Sequence, residues 1–294
     1  MAVTKADSSN FSNAQRIMLS AMRYTNEFKA VTKGLVDNIP LPKGHKNVTV
    51  NKYGTVTASA LTDGADLIDS AAITNTTLTI TPSEVGVKAI VTLKLVRQNI
   101  DNVYASTGRI LGNAMAKKQE QDIQANFDNF SKSTPGAGNT MTMAALLGAY
   151  SYIETGGTTD EPPDDMNQTV AVLHPEQIAD LVKEIGGNTT AGTYPVPAGI
   201  SEQVIRNNMR AREPIYGIPI FSSGYLTRDS GDDSKGAVFN KRALIYVESQ
   251  SIESFEEFDA SLRGWENVFV ADYAEGEYKD EWGVEIYSDA LARI

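Results

Sequence analysis

Apolar residues recur at mostly helical spacing from Asp101 to Phe130, and the pattern predicts a long helix there. Asp101 stands where a helix N-cap is expected. Such a helix would span about 45 Å at about 1.5 Å per residue. Gly108 and Gly112 each weaken it by about 1 kcal/mol relative to Ala, but their small size allows a close neighbour. The apolar positions are Val103, Ile110, Leu111, Ala114, Met115, Ile123, Phe127 and Phe130.

The segment Val85–Val96 alternates between apolar and polar residues, which predicts a strand with one buried face that leads directly into the helix. Its inward positions are Val87, Ala89, Val91, Leu93 and Leu95. We predict that this strand and the C-terminal strands near Trp265 to Val270 cover the apolar face of the helix. Met115→Asp or Phe127→Asp would then place an unpaired charge in a core.

The N-terminal segment favours an arm over a core. Asn13–Lys33 has the pattern of an amphipathic helix, and Leu35–Gly44 is predicted to be extended because Pro40 and Pro42 prevent a helix. Val48–Ile80 is predicted to form a long two-stranded β-hairpin. Its centre, near Thr62 to Ser70, has few large apolar residues. An isolated hairpin is marginally stable, so this one packs either on a neighbouring subunit or on its own domain.

The second half of the chain reads as an α/β unit followed by a β-rich tail. Thr169–Ile185 is the clearest part: a continuous apolar strand, then a helix with Pro175 at its first position. Other predicted helices are Thr140–Ile153 and Ser201–Arg212. Predicted strands are Ile215–Phe221, an edge or bulged strand because of Pro219, then Ala237–Phe239, Ala243–Val247 and Glu281–Tyr287. Phe255, Phe258, Leu262, Trp265, Val268 and Val270 are assigned to one packed strand face.

Composition excludes several classes of protein. The chain has 294 residues, no Cys and two His, so disulfides and thiolate chemistry are absent. A net charge of −11 argues against a nucleic-acid reader and suits a protein that stays soluble at high concentration. The sequence contains neither a run of 18 apolar residues nor a secretory signal. We therefore predict a soluble protein made in a cytoplasm.

No residue pattern predicts catalysis, a cofactor or a metal site. His174, at a strand–helix junction, is expected to cap the helix rather than act as a general base. Arg206, Arg210 and Arg212 are expected to form a solvated face or interface salt bridges. The carboxylates Glu256, Glu257 and Asp259 lack the spacing of a calcium loop and are interpreted as a solvated strand face.

The order of these segments resembles the major capsid proteins of tailed bacteriophages, which have the Hong Kong 97-like fold. The phrases that carry the resemblance are Thr79-Ile80-Thr81-Pro82-Ser83-Glu84-Val85-Gly86, Val172-Leu173-His174-Pro175-Glu176-Gln177 and Tyr216-Gly217-Ile218-Pro219-Ile220-Phe221. The resemblance covers essentially the whole chain. It implies an α+β fold with an N-arm, an extended β-hairpin called the E-loop, a peripheral (P) domain with a long spine helix, and an α/β axial (A) domain.

The resemblance also implies domain boundaries. The N-arm would comprise residues 1–45 and the E-loop residues 46–95. The P domain would comprise residues 96–138 and 253–278, with the spine helix at about 101–130. The A domain would comprise residues 139–252 and 279–294.

The implied function is a structural shell protein and not an enzyme, which forms pentamers and hexamers of an icosahedral virion capsid around double-stranded DNA. Expected partners are other copies of the chain, a separate scaffolding protein, a portal and a decoration protein, with only non-specific DNA contact and no membrane. Assembly would take place in the host cytoplasm. Deletion of residues 1–34 is expected to leave a folded protein that forms no closed shells.

Some relatives cross-link themselves through a Lys on the E-loop and an Asn in the P domain. Lys46 or Lys52 and Asn267 stand in suitable segments, although residues of these types are common. The alternatives to a capsid are an encapsulin-like compartment, an α/β hydrolase, and a tail or adhesion protein. The scarcity of His and Cys and the lack of a G-x-S-x-G elbow count against the hydrolase.

Overall fold

The computed structural model describes residues 16–25, 30–56, 58, 60, 61, 63, 64, 72–98, 103–157, 161–187 and 217–290. The chain forms two compact units. Unit 1 comprises Met1–Lys46, Thr81–Ile123 and Tyr246–Glu275, and unit 2 comprises Asn47–Ile80, Gln124–Ile245 and Gly276–Ile294. The proposed N-cap Asp101, most of the hairpin tip Thr62–Ser70 and the predicted helix Ser201–Arg212 lie outside the described residues.

Helices and strands follow the order expected from the sequence. The helices are α1 (residues 16–25), α2 (Leu93–Gln98), α3 (Val103–Ala125), α4 (Met143–Glu154) and α5 (Pro175–Gly187). The strands are β1 (Asp37–Pro40), β2 (Val48–Tyr53), β3 (Asn75–Ile80), β4 (Ser83–Thr92), β5 (Ser133–Pro135), β6 (Thr169–Leu173), β7 (Ile220–Ser222), β8 (Asp233–Asn240), β9 (Leu244–Asp259), β10 (Gly264–Glu277) and β11 (Gly283–Asp289). Short 3-10 turns are Thr32–Gly34, Asn126–Asn129, Met166–Gln168, Lys241–Ala243 and Asp280–Trp282.

Unit 1 contains a four-stranded sheet in the order β1-β9-β10-β4. Strand β4 alternates as predicted, but it ends at Thr92 instead of Val96. The Thr92 hydroxyl accepts a hydrogen bond from the Leu95 amide at 3.3 Å, which caps α2 and converts the end of the predicted strand into a helix. The strand therefore does not lead directly into α3.

The second strand of the hairpin β9–β10 buries a different face from the one predicted. Phe269, Ala271 and Tyr273 are buried, whereas Val268 and Val270 are only partly covered. Phe269 pairs with Val87 of β4, so the inward faces of the two strands coincide. The sequence correctly predicted that buried and exposed residues alternate in this region, but it assigned the wrong set of alternate residues of β10 to the buried face.

Helix α3 corresponds to the long helix predicted from Asp101 to Phe130, followed by the 3-10 turn at Asn126–Asn129. Ile110 and Ala114, assigned to its apolar face, are exposed. Gln119 and Glu120 are buried instead. The buried stripe of α3 is therefore partly polar, and a search for apolar spacing alone does not locate it.

Helix α1 packs against α3 at the two glycines. A Cβ on Gly112 would lie 2.6 Å from the Met22 carbonyl oxygen, and one on Gly108 would clash with the Met18 carbonyl. The close neighbour predicted for these glycines is thus confirmed. Met18 and Met22 are fully buried, which corrects the expectation that this segment is separable from a core. Deletion of residues 1–34 would uncover apolar surface of unit 1.

A buried carboxylate fixes the end of the N-terminal segment to α3. Glu120 is fully buried and accepts hydrogen bonds from the Thr32 amide at 2.7 Å and the Thr32 hydroxyl at 2.5 Å. Lys33 forms an ion pair with Glu248 of β9 at 3.0 Å. Leaving a buried hydrogen-bonding group without its partner costs about 1–3 kcal/mol, so the bonds between Glu120 and Thr32 anchor the segment.

The inner face of α3 contacts the C-terminal strands through Tyr246 of β9 and Tyr273 of β10, which lie outside the predicted segment Trp265 to Val270. Asp122 accepts a hydrogen bond from the Tyr273 hydroxyl of β10 at 2.8 Å. Tyr246 of β9 stacks on Tyr273 with ring centroids 5.5 Å apart, and Gln119 donates to the Tyr246 hydroxyl at 3.4 Å. The hydroxyl groups of Tyr246 and Tyr273 thus bind polar side chains of α3, while their rings stack on each other in unit 1.

We expect Gly108→Ala and Gly112→Ala to destabilise unit 1 by about 1–3 kcal/mol, because the added methyl group forces α1 away from α3. Helix propensity alone predicts that both substitutions stabilise the protein, since Ala is favoured over Gly in a helix by about 1 kcal/mol. Gly148→Ala in α4 is the matched control, because open space surrounds Gly148. Chemical denaturation should show stabilisation for the control and destabilisation for the other two. Equal behaviour of all three variants would contradict the close α1–α3 contact.

Unit 2 is built on a mixed five-stranded sheet in the order β5-β11-β8-β6-β7. Strand β7 pairs in parallel with β6 at the edge, as Pro219 predicted, but it is shorter than the predicted Ile215–Phe221. Strand β11 begins at Gly283 because the residues before it form the 3-10 turn Asp280–Trp282.

Apolar groups cover both faces of this sheet. Helices α4 and α5 pack on one face in a cluster formed by Met141, Ala145, Leu146, Ala149, Ile153, Ala171, Leu173, Ile178, Leu181, Ile218, Ile220, Val238, Val284 and Ile286. On the other face Phe127 meets Phe239, with ring centroids 5.3 Å apart, and Phe130 packs against Gly283. Phe127 therefore packs on the five-stranded sheet of unit 2, whereas Met115 lies in unit 1.

Strands β2 and β3 form the predicted antiparallel hairpin, with Val48 opposite Ile80 and Tyr53 opposite Asn75. Most of its side chains are exposed or partly covered, and Ile80 at its base is buried. The hairpin thus extends from its base with little support from the rest of unit 2.

Candidate functional site

His174 caps a helix, as expected from the sequence. Its backbone amide donates to the Gln177 side chain at 2.9 Å, and its Nδ1 accepts from the Glu176 amide at 3.2 Å. Burial is the main cause that lowers the pKa of His174, followed by the charge of Arg228. Gln177 also donates to the Ser288 hydroxyl at 2.8 Å, which ties the start of α5 to β11. The local geometry accounts for His174 without catalysis.

The carboxylates of the C-terminal tail form a solvated strand face, as expected. Glu256 and Glu257 are exposed, and Asp259 accepts hydrogen bonds from the Ser261 and Leu262 amides at 2.7 Å and 3.2 Å. Among the residues that the structure describes, no group of three or more His, Asp or Glu side chains is placed to hold a metal ion. Arg206, Arg210 and Arg212 lie outside those residues.

The cross-linking hypothesis receives no support from the position of Asn267. Its side chain is 3 % exposed and donates to the Trp265 carbonyl at 3.4 Å. Lys52 lies on β2, and Lys46 is an exposed residue just before that strand. Because Asn267 faces the interior of unit 1, its carboxamide is not displayed to a lysine of another subunit.

The hairpin β2–β3 exposes apolar side chains along and beyond its strands. The exposed fraction is 58 % for Tyr53, 49 % for Val56, 71 % for Leu61 and 69 % for Ile73. Isolated exposed apolar residues are ordinary, but a group of them on one projecting element indicates an interaction surface. The hairpin is therefore the first candidate assembly surface.

The end of the β9–β10 hairpin is a second exposed surface, and we call it the acidic tip. Glu253, Phe255 and Glu257 alternate along the outer side of β9, and Leu262 lies in the turn. Phe255 is 55 % exposed and Leu262 46 %. The hydrogen bonds to Asp259 hold the turn in one conformation. The sequence assigned Phe255 and Leu262 to a packed face, and that assignment was wrong for this subunit.

Helix α2 carries the opposite charge, and we call its exposed side the basic helix. Lys94, Leu95 and Arg97 are exposed, and the helix has no acidic residue in its first turn. The Leu93 amide donates to the Arg263 carbonyl at 3.0 Å, so the basic helix starts beside the turn of the acidic tip. Unit 1 thus displays two adjacent surfaces of opposite charge, each with apolar residues.

A short segment of unit 2, Gly276–Asp280, supports the base of the β2–β3 hairpin, and we call it the hairpin seat. A Cβ on Gly276 would lie 3.0 Å from Ile80 Cδ1, and the Tyr278 hydroxyl donates to the Asn51 carbonyl at 3.1 Å. A cleft of about 390 Å³ separates the rest of the seat from the hairpin. Its lining residues are Lys52, Tyr53, Gly54, Thr55, Thr74, Thr76, Lys279, Asp280 and Glu281.

The architecture described above is a Hong Kong 97-like capsid fold, with a spine helix, a projecting hairpin and an α/β unit. A solved structure from Mycobacterium phage Che8 superposes with a TM-score of 0.65 at 16 % identity, and the match covers 87 % of this chain and 90 % of that one. The capsid structure of the cyanophage P-SCSP1u gives a TM-score of 0.61 at 17 % identity, with 89 % of each chain covered. The capsid of a native GTA particle gives 0.65 at 10 % identity, with 89 % and 91 % covered.

The sequence model of the phage capsid protein family matches residues 75–293, and the chain belongs to this family. It is a shell-forming structural protein of a phage capsid, and neither the hydrolase, the tail protein nor the encapsulin-like compartment is favoured. No curated protein sequence is detectably similar to the chain. Within the described residues, no helix combines the length and hydropathy required to cross a bilayer.

Proposed function

We propose that copies of this chain form the pentamers and hexamers of an icosahedral shell that encloses double-stranded DNA. The observation that carries the proposal is the β2–β3 hairpin, a projecting element with exposed apolar residues in a protein of a shell-forming family. The hairpin packs on a neighbouring subunit, where it removes these residues from water. Wrap-around contacts of this kind exceed about 2,000 Å² in obligate assemblies.

The surface that receives the hairpin is the outer side of α1 and α3 of the neighbour. Ile110 and Ile17 are 66 % and 42 % exposed there, although both stand on helices whose inner sides are packed. Burial of apolar surface contributes about 25 cal/mol per Å², so covering both groups favours association. This also explains why Ile110 fits the helical apolar pattern and yet is exposed in the single subunit.

The domain boundaries remain those implied by the family resemblance. In this proposal, residues 1–45 are the N-arm, 46–95 the E-loop, 96–138 and 253–278 the P domain, and 139–252 and 279–294 the A domain. The five-stranded sheet with α4 and α5 supports the A-domain assignment, since all its strands except β5 fall within those residues. The A domains surround the five-fold and six-fold axes.

A second contact joins the acidic tip of one subunit to the basic helix of the next. The two surfaces have opposite charge, and Glu253, Glu257, Lys94 and Arg97 form no ion pair within the described part of the chain. In this proposal one copy's tip therefore meets another copy's helix. Such a contact uses two different surfaces and closes into a ring when the rotation between subunits permits.

The further partners and the site of assembly belong to the same proposal. A separate scaffolding protein, a portal and a decoration protein complete the particle, which is assembled in the host cytoplasm. DNA is contacted only non-specifically, which agrees with a net charge of −11. The chain performs no catalysis in this proposal.

Replacing residues 54–74 by an Asn-Gly turn that joins Tyr53 to Asn75 should leave a folded subunit that forms no closed shells. The base of the hairpin and its contact with Tyr278 are retained, so only the projecting part is lost. Sedimentation and electron microscopy would compare this variant with the full chain, and circular dichroism would establish that it is folded. Closed shells from the shortened protein would refute the assigned role of the hairpin.

A further inference from the structure

The projecting part of the β2–β3 hairpin contains Asp63 followed by Gly64, the single Asp-Gly step of the sequence, and the sequence has no Asn-Gly step. The backbone nitrogen that follows an aspartate can attack the carboxyl carbon of that aspartate. A side chain on the following residue obstructs this attack, and glycine has none. The sequence therefore marks Asp63 as the aspartate most open to reaction with its own backbone.

The structure leaves both residues of this step accessible. Asp63 and Gly64 are exposed, and Gly64 has a φ of 78°. No atom of the described residues lies within 4 Å of the position that a Cβ on Gly64 would take. Asp63 forms no hydrogen bond or ion pair with another described residue. Its carboxyl group is therefore free to turn toward the Gly64 nitrogen.

Asp229 shows the opposite situation in the same chain. The residue that follows it, Ser230, is small, so the side chain obstructs the attack little. However, Asp229 Oδ1 accepts hydrogen bonds from the Gly231 amide at 2.8 Å and the Asp233 amide at 3.0 Å. A carboxylate held by two backbone amides does not turn toward its own main chain. Asp229 is thus an internal comparison for Asp63.

We propose that Asp63 is a site of spontaneous backbone isomerisation in the free subunit. The Gly64 nitrogen forms a bond to Asp63 Cγ, and one carboxyl oxygen leaves as water with the amide proton and a second proton, which gives a cyclic imide. Water then opens the ring. Opening at Cγ restores aspartate, whereas opening at the main-chain carbonyl of Asp63 leaves the chain connected through Cγ, as isoaspartate. The net reaction takes up one solvent oxygen and leaves the mass unchanged.

This change alters the part of the hairpin that projects furthest from its base. Isoaspartate adds one atom to the main chain at Asp63, between the exposed residues Leu61 and Ile73. The consequence for assembly rests on the proposed function, in which the hairpin packs on a neighbouring subunit. A packed hairpin cannot close the imide ring, so assembly suppresses the reaction and unassembled subunits accumulate the altered form.

Free subunits and purified shells incubated in water enriched in heavy oxygen test the proposal. Mass spectrometry with electron-transfer fragmentation distinguishes isoaspartate from aspartate and locates the heavy oxygen. Both should accumulate at Asp63 in free subunits and not at Asp229. In shells the reaction at Asp63 should be several-fold slower.

Two substitutions at Asp63 separate this chemistry from simple exposure. Asp63→Glu should abolish the reaction, because the ring would need a further member and closes far more slowly. Asp63→Asn should react several-fold faster, because ammonia leaves more readily than water, and it gains a carboxylate that mass spectrometry detects. Asp229→Asn is the matched control and should stay unchanged, since the amides of Gly231 and Asp233 still bind the side-chain oxygen.

Free subunits that show no reaction at Asp63, or an equal reaction at Asp229, would overturn the proposal. An equal rate in subunits and shells would overturn the protection by assembly. A chain that forms no shells would refute the proposed function instead, and the reaction of the free subunit would still be measurable.

Discussion

Phe127→Asp is expected to give protein that does not accumulate as a soluble subunit. Phe127 is fully buried and its ring packs on Phe239, so the new carboxylate would have no water and no partner. Burying an unpaired charge costs about 4 kcal/mol or more, a large fraction of the stability of one domain. The soluble fraction after expression and the resistance of that fraction to protease measure the effect.

Phe255→Asp provides the control with the same chemical change. Phe255 is 55 % exposed on the acidic tip, so this variant should remain soluble and protease-resistant. Met115→Asp, in the buried stripe of α3, should behave like Phe127→Asp, since Met115 is 2 % exposed. Soluble, protease-resistant Phe127→Asp subunits would show that the contact with Phe239 is not part of a core.

The sequence predicted best the elements whose signals are local. The unit β6–α5 combines a continuous apolar strand, Pro175 at the first helical position and helical apolar spacing, and all of these act within a few residues. The hairpin β2–β3 was likewise found from its two β-prone ends. Errors in the predicted ends of strands also had local causes. For example, the Thr92 hydroxyl caps α2, so β4 ends earlier than predicted.

Anchors between distant segments could not be predicted in this way. Glu120 reads as an ordinary charged residue of a helix, because its partner Thr32 is far away in the sequence. The glycines of α3 did signal a close neighbour, but nothing in their spacing identifies α1 as that neighbour. Pairings of this kind depend on tertiary packing, which overrides local preference.

The acidic tip shows why the assembly surfaces were only partly recognised. Apolar residues on a strand indicate burial but not what buries them. Phe255 and Leu262 were therefore assigned to the core of their own chain, although both are exposed in the single subunit. For a shell protein, a surface that assembly covers and a surface that folding covers have the same sequence pattern.

Reversing the charge of either the acidic tip or the basic helix is expected to prevent shell formation without unfolding the subunit. Glu253, Glu257, Lys94 and Arg97 are all exposed, and none of them forms an ion pair within the described part of the chain. Close ion pairs at an interface contribute about 1.5 kcal/mol or more each, and like charges in their place repel. Because the contact repeats around every ring, small losses accumulate over the shell.

The decisive variant combines both reversals. Glu253→Lys with Glu257→Lys, and Lys94→Glu with Arg97→Glu, should each reduce closed shells to background in sedimentation and electron microscopy, whereas the fourfold variant should restore them because the charges are again complementary. Glu154→Lys with Glu161→Lys makes the same change in net charge on unit 2 and should leave assembly unaffected. Rescue in the fourfold variant requires that tip and helix meet across subunits. If the fourfold variant assembled no better than either parent, the two surfaces would not be partners, and each would have to pack against a different part of the shell.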